Sequence, residues 1–431
     1  MRTHYSIQLK PSMDGEQVKV AGWAKDIRVL GKIAFLNLRD REGHVQITFP
    51  KSKVGELFDE LKEITKESVL SIKGELKKND QAPNGVEIIP SELKVLSKAK
   101  TPLPMDVSGK LKSELETRLN ARFMDLRDPK VAAIFSVRDS MLTGIHDFMD
   151  SQDFVEVHTP KIVAAAAEGG ATLFPVQYFN EKAYLTQSPQ LFKQILMATS
   201  LDRVYEIAPA FRAEKSDTTR HLSEFTSFDF ELAFIDSMDD VLDMTEGLMV
   251  SMFKHLKKNV KEELDLLEVE LKTPKTPFER ITFDDARRML ERAGKVIGDD
   301  LDTEAEKKLG EIMLKKGHEF YFITGFPSSE KPFYIMERDD AFCHSFDLDY
   351  KGEEMASGGQ REHRYDELVA RIKKQKLEPK DFEFYLGAFQ YGIPPHGGIG
   401  IGLERLVKKV LDLDNVRETI LFPRDRYRLV P

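Results

Sequence analysis

Over the first hundred positions, apolar and polar residues alternate in short runs. Residues 17–23, 33–39, 45–49, 69–74 and 86–89 each carry the period of two that buries one face of a strand. Asp40, Arg41, Glu42 and Gly43 make a turn between the second and third runs, and a helical stretch is predicted at 54–66. Five short strands with one helical insertion fit a small Greek-key barrel of the OB type. On the central hairpin, Leu36, Leu38, Val45 and Ile47 fall on one face, and Phe35, Asn37, Gln46 and Thr48 on the other. An aromatic among amides and hydroxyls suits unstacked bases, although Phe35 packing into the barrel explains the pattern as simply.

The pattern changes along the rest of the chain. Residues 97–106, SKAKTPLPMD, read as a linker, followed by a charged helical segment as far as Pro129. An i, i+3, i+4 apolar spacing predicts a long helix over 131–150. Residues 204–234 then show two strand-like runs around a cationic loop. Glu206, Ala210, Arg212 and Glu214 share one face of the first run. Phe225, Ser227, Asp229 and Glu231 oppose an apolar face of Phe228, Phe230, Leu232 and Phe234 on the second. An antiparallel hairpin of these runs would set one core face against a bed of charge, with Lys215, Arg220 and His221 in the loop suited to polyphosphate. Residues 237–318 are helix-rich and read as an outer layer without chemistry of its own. Strands return at 342–350 and 353–357, closed by Lys351 and Gly352, and again at 397–402, where four glycines imply close approach by a ligand or another backbone. The absence of a regular βαβ rhythm predicts an α+β domain on an antiparallel sheet. No GxGxxG follows an early strand and no Walker lysine is present, which excludes Rossmann and P-loop readings.

Composition narrows the class. A chain of 431 residues exceeds one ordinary core, and the single cysteine, Cys343, excludes a disulfide framework and a cysteine-based zinc site. No stretch approaches a membrane span, and MRTHYSIQLK lacks the apolar core of a signal peptide, so a reducing cytoplasm is expected. The net charge of −9 weighs against a nucleic-acid partner but leaves room for one basic face.

Three segments together carry a family resemblance. Residues 211–214 (FRAE) and 220–225 (RHLSEF) resemble the second signature motif of class II aminoacyl-tRNA synthetases. Phe154-Val-Glu-Val-His-Thr-Pro160 resembles the first motif, and Gly400-Ile-Gly-Leu-Glu-Arg405 the third. Each match is weak alone, but the three occur in order and at the right spacing. The resemblance spans nearly the whole chain and is closest to archaeal-type aspartyl-tRNA synthetases. It implies an OB-fold anticodon-binding domain at 1–103, a hinge at 104–130, a class II catalytic domain at 131–431, and a homodimer with isologous contact through the first motif and its proline.

The resemblance also implies roles for individual residues. Arg212 would hold the α-phosphate of ATP and the attacking carboxylate. Arg405 would hold the far phosphates and, with Phe225, sandwich the adenine. Arg220 and His221 would close on the γ-phosphate, and Glu214 would accept from the adenine amino group. Leu222, Gly402, Leu403 and Glu404 complete the ATP site. Glu354 and Ser357 would bind Mg2+. The aspartate subsite would comprise Lys193 and Arg361 at the side-chain carboxylate, Gln190 and Glu168 at the amino group, and Asp229, Arg212 and Ser357 beside them. Asparaginyl relatives lack the lysine, so Lys193 favours aspartate. On the barrel, Phe35 would stack on an anticodon base and Gln46 read its edge, with Arg28 and Lys25 nearby. Enzymes restricted to tRNA-Asp tend to carry Lys at the position of Pro83 and Trp at that of Lys25. Both departures suggest that tRNA-Asn is accepted as well as tRNA-Asp. Three rival readings remain: asparagine activation, tRNA-independent asparagine synthesis, and an RNA-binding paralogue without catalysis. Lys193 with Arg361 opposes the first and the OB-like domain the second. The third is opposed by the presence of both Arg212 and Arg405.

Overall fold

The structure, a computed structural model, describes residues 2–107, 113–164, 173–214, 218–338 and 342–431. It divides into two compact units, Met1–Arg127 and Asp128–Pro431.

In the first unit, strands β1 (Gln17–Leu30), β2 (Ile33–Arg39), β3 (His44–Pro50), β4 (Val69–Lys78) and β5 (Val86–Ser97) close into a barrel in the order β1-β2-β3-β5-β4. All five expected strands occur, and β1, β4 and β5 run well beyond the alternating segments. Leu36, Leu38, Val45 and Ile47 are buried inside, as the period of two requires. The expected helical stretch is two short helices, Lys51–Val54 and Leu57–Lys62, separated at Gly55, whose φ of +56° favours glycine. Part of the segment expected to be a hinge, from Arg118 to Arg127, carries its own ion pairs. Arg118 and Arg122 both bond Asp125, at 2.9 and 2.5 Å, and Arg127 joins Arg39 on the buried carboxylate of Glu67, each at 2.7 Å. A buried carboxylate such as Glu67 needs such partners.

In the second unit, Asp128 caps the helix Pro129–Ser151, and proline occupies its first turn, where no intrahelical donor is needed. Short strands β6 (Val155–Glu156) and β7 (Ile162–Val163) follow. β7 joins β8 (Pro175–Tyr178) and β9 (Glu181–Leu185) in a three-stranded sheet ordered β7-β9-β8. The main sheet adds β10 (Arg203–Phe211), β11 (Glu224–Ala233), β12 (Glu279–Thr282), β13 (Phe320–Thr324), β14 (Ser345–Tyr350), β15 (Glu354–Gln360) and β16 (His396–Gly402). Its order is β12-β13-β14-β15-β16-β11-β10-β6, antiparallel except at its two ends. Helices Pro129–Ser151 and Met238–Asn259 cover one face through Met141, Ile145, Leu248 and Met252. A second core lies on the other face, so Phe320 and Phe322 of β13 enter one cluster and Tyr321 and Ile323 the other. This is the α+β architecture expected. Phe234 departs from the apolar face predicted for it: it lies past the end of β11 with φ of +58° and is 72% exposed. No helix among the described residues is long and apolar enough to cross a membrane.

Candidate active site and barrel face

The hairpin of β10 and β11 pairs Ala210 with Phe225 and Glu206 with Asp229, and β16 lies beside β11 with Gly400 opposite Asp229 and Gly398 opposite Glu231. Glycine is dictated here by space. A Cβ on Gly398 would sit 2.1 Å from the Phe230 carbonyl oxygen and 2.2 Å from the Glu231 carboxylate. The glycine strand thus makes room for the acidic side chains of its neighbour. Arg212 and Glu214 lie just beyond β10, where the Arg212 N–H still donates to Ser223 O at 2.9 Å.

A cleft of about 210 Å³ opens over these strands. Among the expected site residues, Gln190, Arg212, Glu214, Arg220, His221, Leu222, Phe225, Asp229, Glu354, Ser357, Arg361, Gly402, Glu404 and Arg405 line it. Lys193 lies directly behind its wall. Leu403 packs into the core, so only its backbone is available to a ligand. Glu168 lies outside the described residues, as does Lys215 of the loop.

At one end of the cleft, both expected anion-binding cations already hold protein carboxylates. Lys193, on the helix Gln190–Leu196, donates to Asp229 Oδ2 at 2.9 Å and to the Ile399 carbonyl at 2.7 Å, with Glu231 at 3.4 Å. Arg361 grips both oxygens of Glu231 at 2.8 and 3.2 Å and bonds the Gly398 carbonyl. Burial pushes the Glu231 carboxyl up, but Arg361 and Lys193 outweigh it and hold the group below the usual range. Asp229 also accepts from Ser227 Oγ at 2.5 Å. Beside this network, Gln190 Nε2 is buried without a hydrogen-bond partner among the described residues. Beneath it, burial holds the His396 imidazole down at about 4, and its Nε2 lies 3.4 Å from Gln194 Oε1. Glu231 had no role in the sequence reading; its position two residues after Asp229, opposite a glycine, was the available signal.

The other end is cationic. The Arg212 guanidinium lies 5.3 Å from the centroid of Phe225 and covers the ring face expected to meet adenine. Arg405 Nη1 is 4.0 Å from Glu354. Arg220 points to the helix Thr303–Lys315, meeting Glu306 at 2.7 Å and Thr303 Oγ1 at 3.1 Å. The outer layer, expected to carry no chemistry of its own, thus supplies partners for Arg220. His221 shares a 2.6 Å hydrogen bond with Thr218, and burial followed by the Arg405 charge lowers its pKa. Glu404 turns away, accepting from Thr226 N–H and facing Arg138, both at 2.9 Å.

Glu354 and Ser357 are three residues apart, which in a regular strand places them on opposite faces. The register between β14 and β15 shifts here, pairing Asp349 with Glu354, Leu348 with Ala356, and Asp347 with Ser357. Met355 is the extra residue of a β-bulge, and the bulge brings Glu354, Ser357, Asp347 and Asp349 to one face. Both expected donors are hard oxygens lining the cleft, which fits Mg2+. Burial raises the pKa of Asp347, and that of Asp349 well above its ordinary value.

On the barrel, Phe35 pairs with Arg28 on one side and with Thr48 on the other, and Asn37 with Gln46. Gln46 Nε2 donates to Glu87 at 3.2 Å, and the Thr48 hydroxyl also bonds Glu87, which explains its burial. Lys25 occupies the bulge between Ala24 and Asp26 and lies close enough to His44 to help lower its pKa, after burial. The His44 carbonyl accepts from Asn84, next to exposed Pro83. Lys25 and Pro83 thus neighbour the same end of β3.

The chain is similar throughout its length to known proteins. Residues 114–426 match the family described as tRNA synthetases class II (D, K and N), and residues 18–96 the OB-fold nucleic acid binding domain. It is 52% identical, over the whole of both chains, to the aspartate–tRNA(Asp) ligase of Pyrococcus abyssi. It is 49% identical, again over both whole chains, to the aspartate–tRNA(Asp/Asn) ligase of Methanopyrus kandleri. The asparaginyl-tRNA synthetase of Pyrococcus horikoshii complexed with asparaginyl-adenylate matches with a TM-score of 0.93 at 34% identity, covering 99% of each chain. The three ordered motifs, the antiparallel sheet that carries them and these matches agree: the chain belongs to the class II aminoacyl-tRNA synthetases of the D, K and N group.

Proposed function

We propose that this synthetase joins L-aspartate to tRNA in two steps. Aspartate attacks the α-phosphate of ATP, giving aspartyl-adenylate and pyrophosphate, and the 3′-terminal ribose hydroxyl of tRNA then takes the aspartyl group, releasing AMP. The observation that carries this reading is the amino-acid end of the cleft, where Lys193 and Arg361 stand beside the open amide of Gln190. Arg361 uses Nε and Nη2 on the protein, and Nη1 would meet the aspartate side chain. Gln190 and Asp229 would hold the amino group, joined by Glu168.

A carboxylate is already nucleophilic near neutral pH, so the chain's task is positioning and charge neutralisation. The Arg212 fork would leave Phe225 and bridge the α-phosphate and the attacking oxygen, a two-point grip unavailable to lysine. Adenine would replace it on Phe225, against Arg405, with Glu214 accepting from the amino group. Arg220 would exchange Glu306 for the γ-phosphate. Glu354 and Ser357 would hold Mg2+, which supplies charge neutralisation on the triphosphate. On the barrel, Phe35 and Gln46 would read the anticodon, with Arg28 and Lys25 on its backbone. Exposed Val155 on the edge strand β6 supports an isologous homodimer. The reaction belongs to the cytoplasm, where its substrates are.

Asparagine activation is the second reading, favoured by the neutralisation of Lys193 and Arg361 by Asp229 and Glu231. Aminoacylation with radiolabelled aspartate and asparagine, on separate tRNA-Asp and tRNA-Asn transcripts, decides. Aspartate on both transcripts is expected from Pro83 and Lys25. Aspartate on tRNA-Asp alone removes the relaxed tRNA choice, and charging with asparagine removes the aspartate assignment.

A further inference from the structure

Lys331 lies between β13 and β14, outside every strand and helix. Its Nζ meets both carboxylate oxygens of Asp347, at 2.9 and 3.0 Å, and sits 3.8 Å from the centroid of Phe326. The pair is largely buried, with side-chain exposures of 13% and 15%. Asp347 faces Ser357 across the strand pair, on the same face as Glu354. Lys331 also lines the main cleft.

We propose that Lys331 is a positioning residue that covers Asp347 and so sets how tightly the cleft takes a free divalent cation. The inference rests on the reading of Glu354 and Ser357 as metal-facing. A bare carboxylate beside them, in a partly buried site, would hold a cation strongly before any nucleotide arrived. An ammonium on both oxygens of Asp347 cancels that charge. The cation then enters with the triphosphate and leaves with pyrophosphate.

The test is Mn2+ binding to the full-length protein without nucleotide, read from the paramagnetic resonance of free Mn2+. Lys331→Met is expected to bind Mn2+ at least about tenfold more tightly than the parent. Lys331→Arg should match the parent, and adding Asp347→Asn to Lys331→Met should remove the gain. If Lys331→Met does not fold, Lys331→Gln keeps a donor, removes the charge and carries the same expectation. Binding within about twofold of the parent, or a gain that survives Asp347→Asn, overturns the proposal. A separate titration with ATP present isolates the underlying reading: unchanged Mn2+ binding by Glu354→Gln would remove the metal site and this role with it.

Discussion

Arg361, just past the end of β15, donates from Nε and Nη2 to the two carboxylate oxygens of Glu231 on β11, and β16 lies between β15 and β11. The pair lies at the amino-acid end of the cleft with almost no solvent contact. Removing one member strands a buried charge. Arg361→Leu should therefore cost about 3–5 kcal/mol of stability in urea unfolding and abolish aspartate-dependent pyrophosphate exchange. Arg361→Leu combined with Glu231→Leu should regain much of the stability and none of the exchange. Recovery of exchange in the double variant would show that Arg361 serves the fold alone.

Arg212 is different because its side chain is 42% exposed and its near contacts are the Phe225 ring and Glu214. Arg212→Ala should leave unfolding within about 0.5 kcal/mol of the parent. It should reduce ATP–pyrophosphate exchange by roughly a thousandfold. Normal exchange would remove Arg212 from the chemistry.

Phe35 stands on the barrel, in the unit that does not contain the cleft. Phe35→Ala should raise the KM for tRNA by roughly ten- to a hundredfold, as expected for loss of one base stack. Pyrophosphate exchange measured without tRNA should be unaffected. An equal loss in both assays would refute a role confined to tRNA.

His396 gives a pH prediction. In the unfolded chain it takes a proton below about 6.5, whereas burial in the folded protein delays protonation to about 4. Between these values the unfolded state binds more protons, so stability falls as pH falls. Comparing unfolding free energies at pH 7 and 4.5, the parent should lose about 2 kcal/mol more than His396→Gln. Equal losses would show that His396 is not held neutral. Glu231 acts in the same sense at lower pH, since its depressed pKa gives stability that is lost as pH falls through the folded value.

Much of this site was legible because its pieces are local. The period of two placed Phe225, Ser227, Asp229 and Glu231 on one face of β11, and Phe35 opposite the buried Leu36 and Leu38, since neighbouring residues on a strand must alternate. Glycines 397, 398, 400 and 402 announced a close approach. At Gly398 and Gly400 the approaching groups include the Glu231 and Asp229 side chains of β11. At Gly397 they are Val241, Ile235 and the Gly359 carbonyl, and at Gly402 nothing approaches closely.

The amino-acid sequence by itself determined the barrel strands, the hairpin of β10 and β11, the glycine-rich strand, the order of the three motifs and the residue types lining the cleft, because alternation and short motifs depend on neighbours along the chain. Strands β8, β9, β12 and β13 carried no such local signal. Only the tertiary structure decided who partners whom. Lys193 meets Asp229, Arg361 meets Glu231, Arg220 meets Glu306 and Lys331 meets Asp347 through sheet order and loop paths that no local pattern encodes. The bulge at Met355 is the clearest case. One extra residue in β15, detectable only against its partner strand, turns Glu354 to the face of Ser357 and makes two donors of an odd spacing.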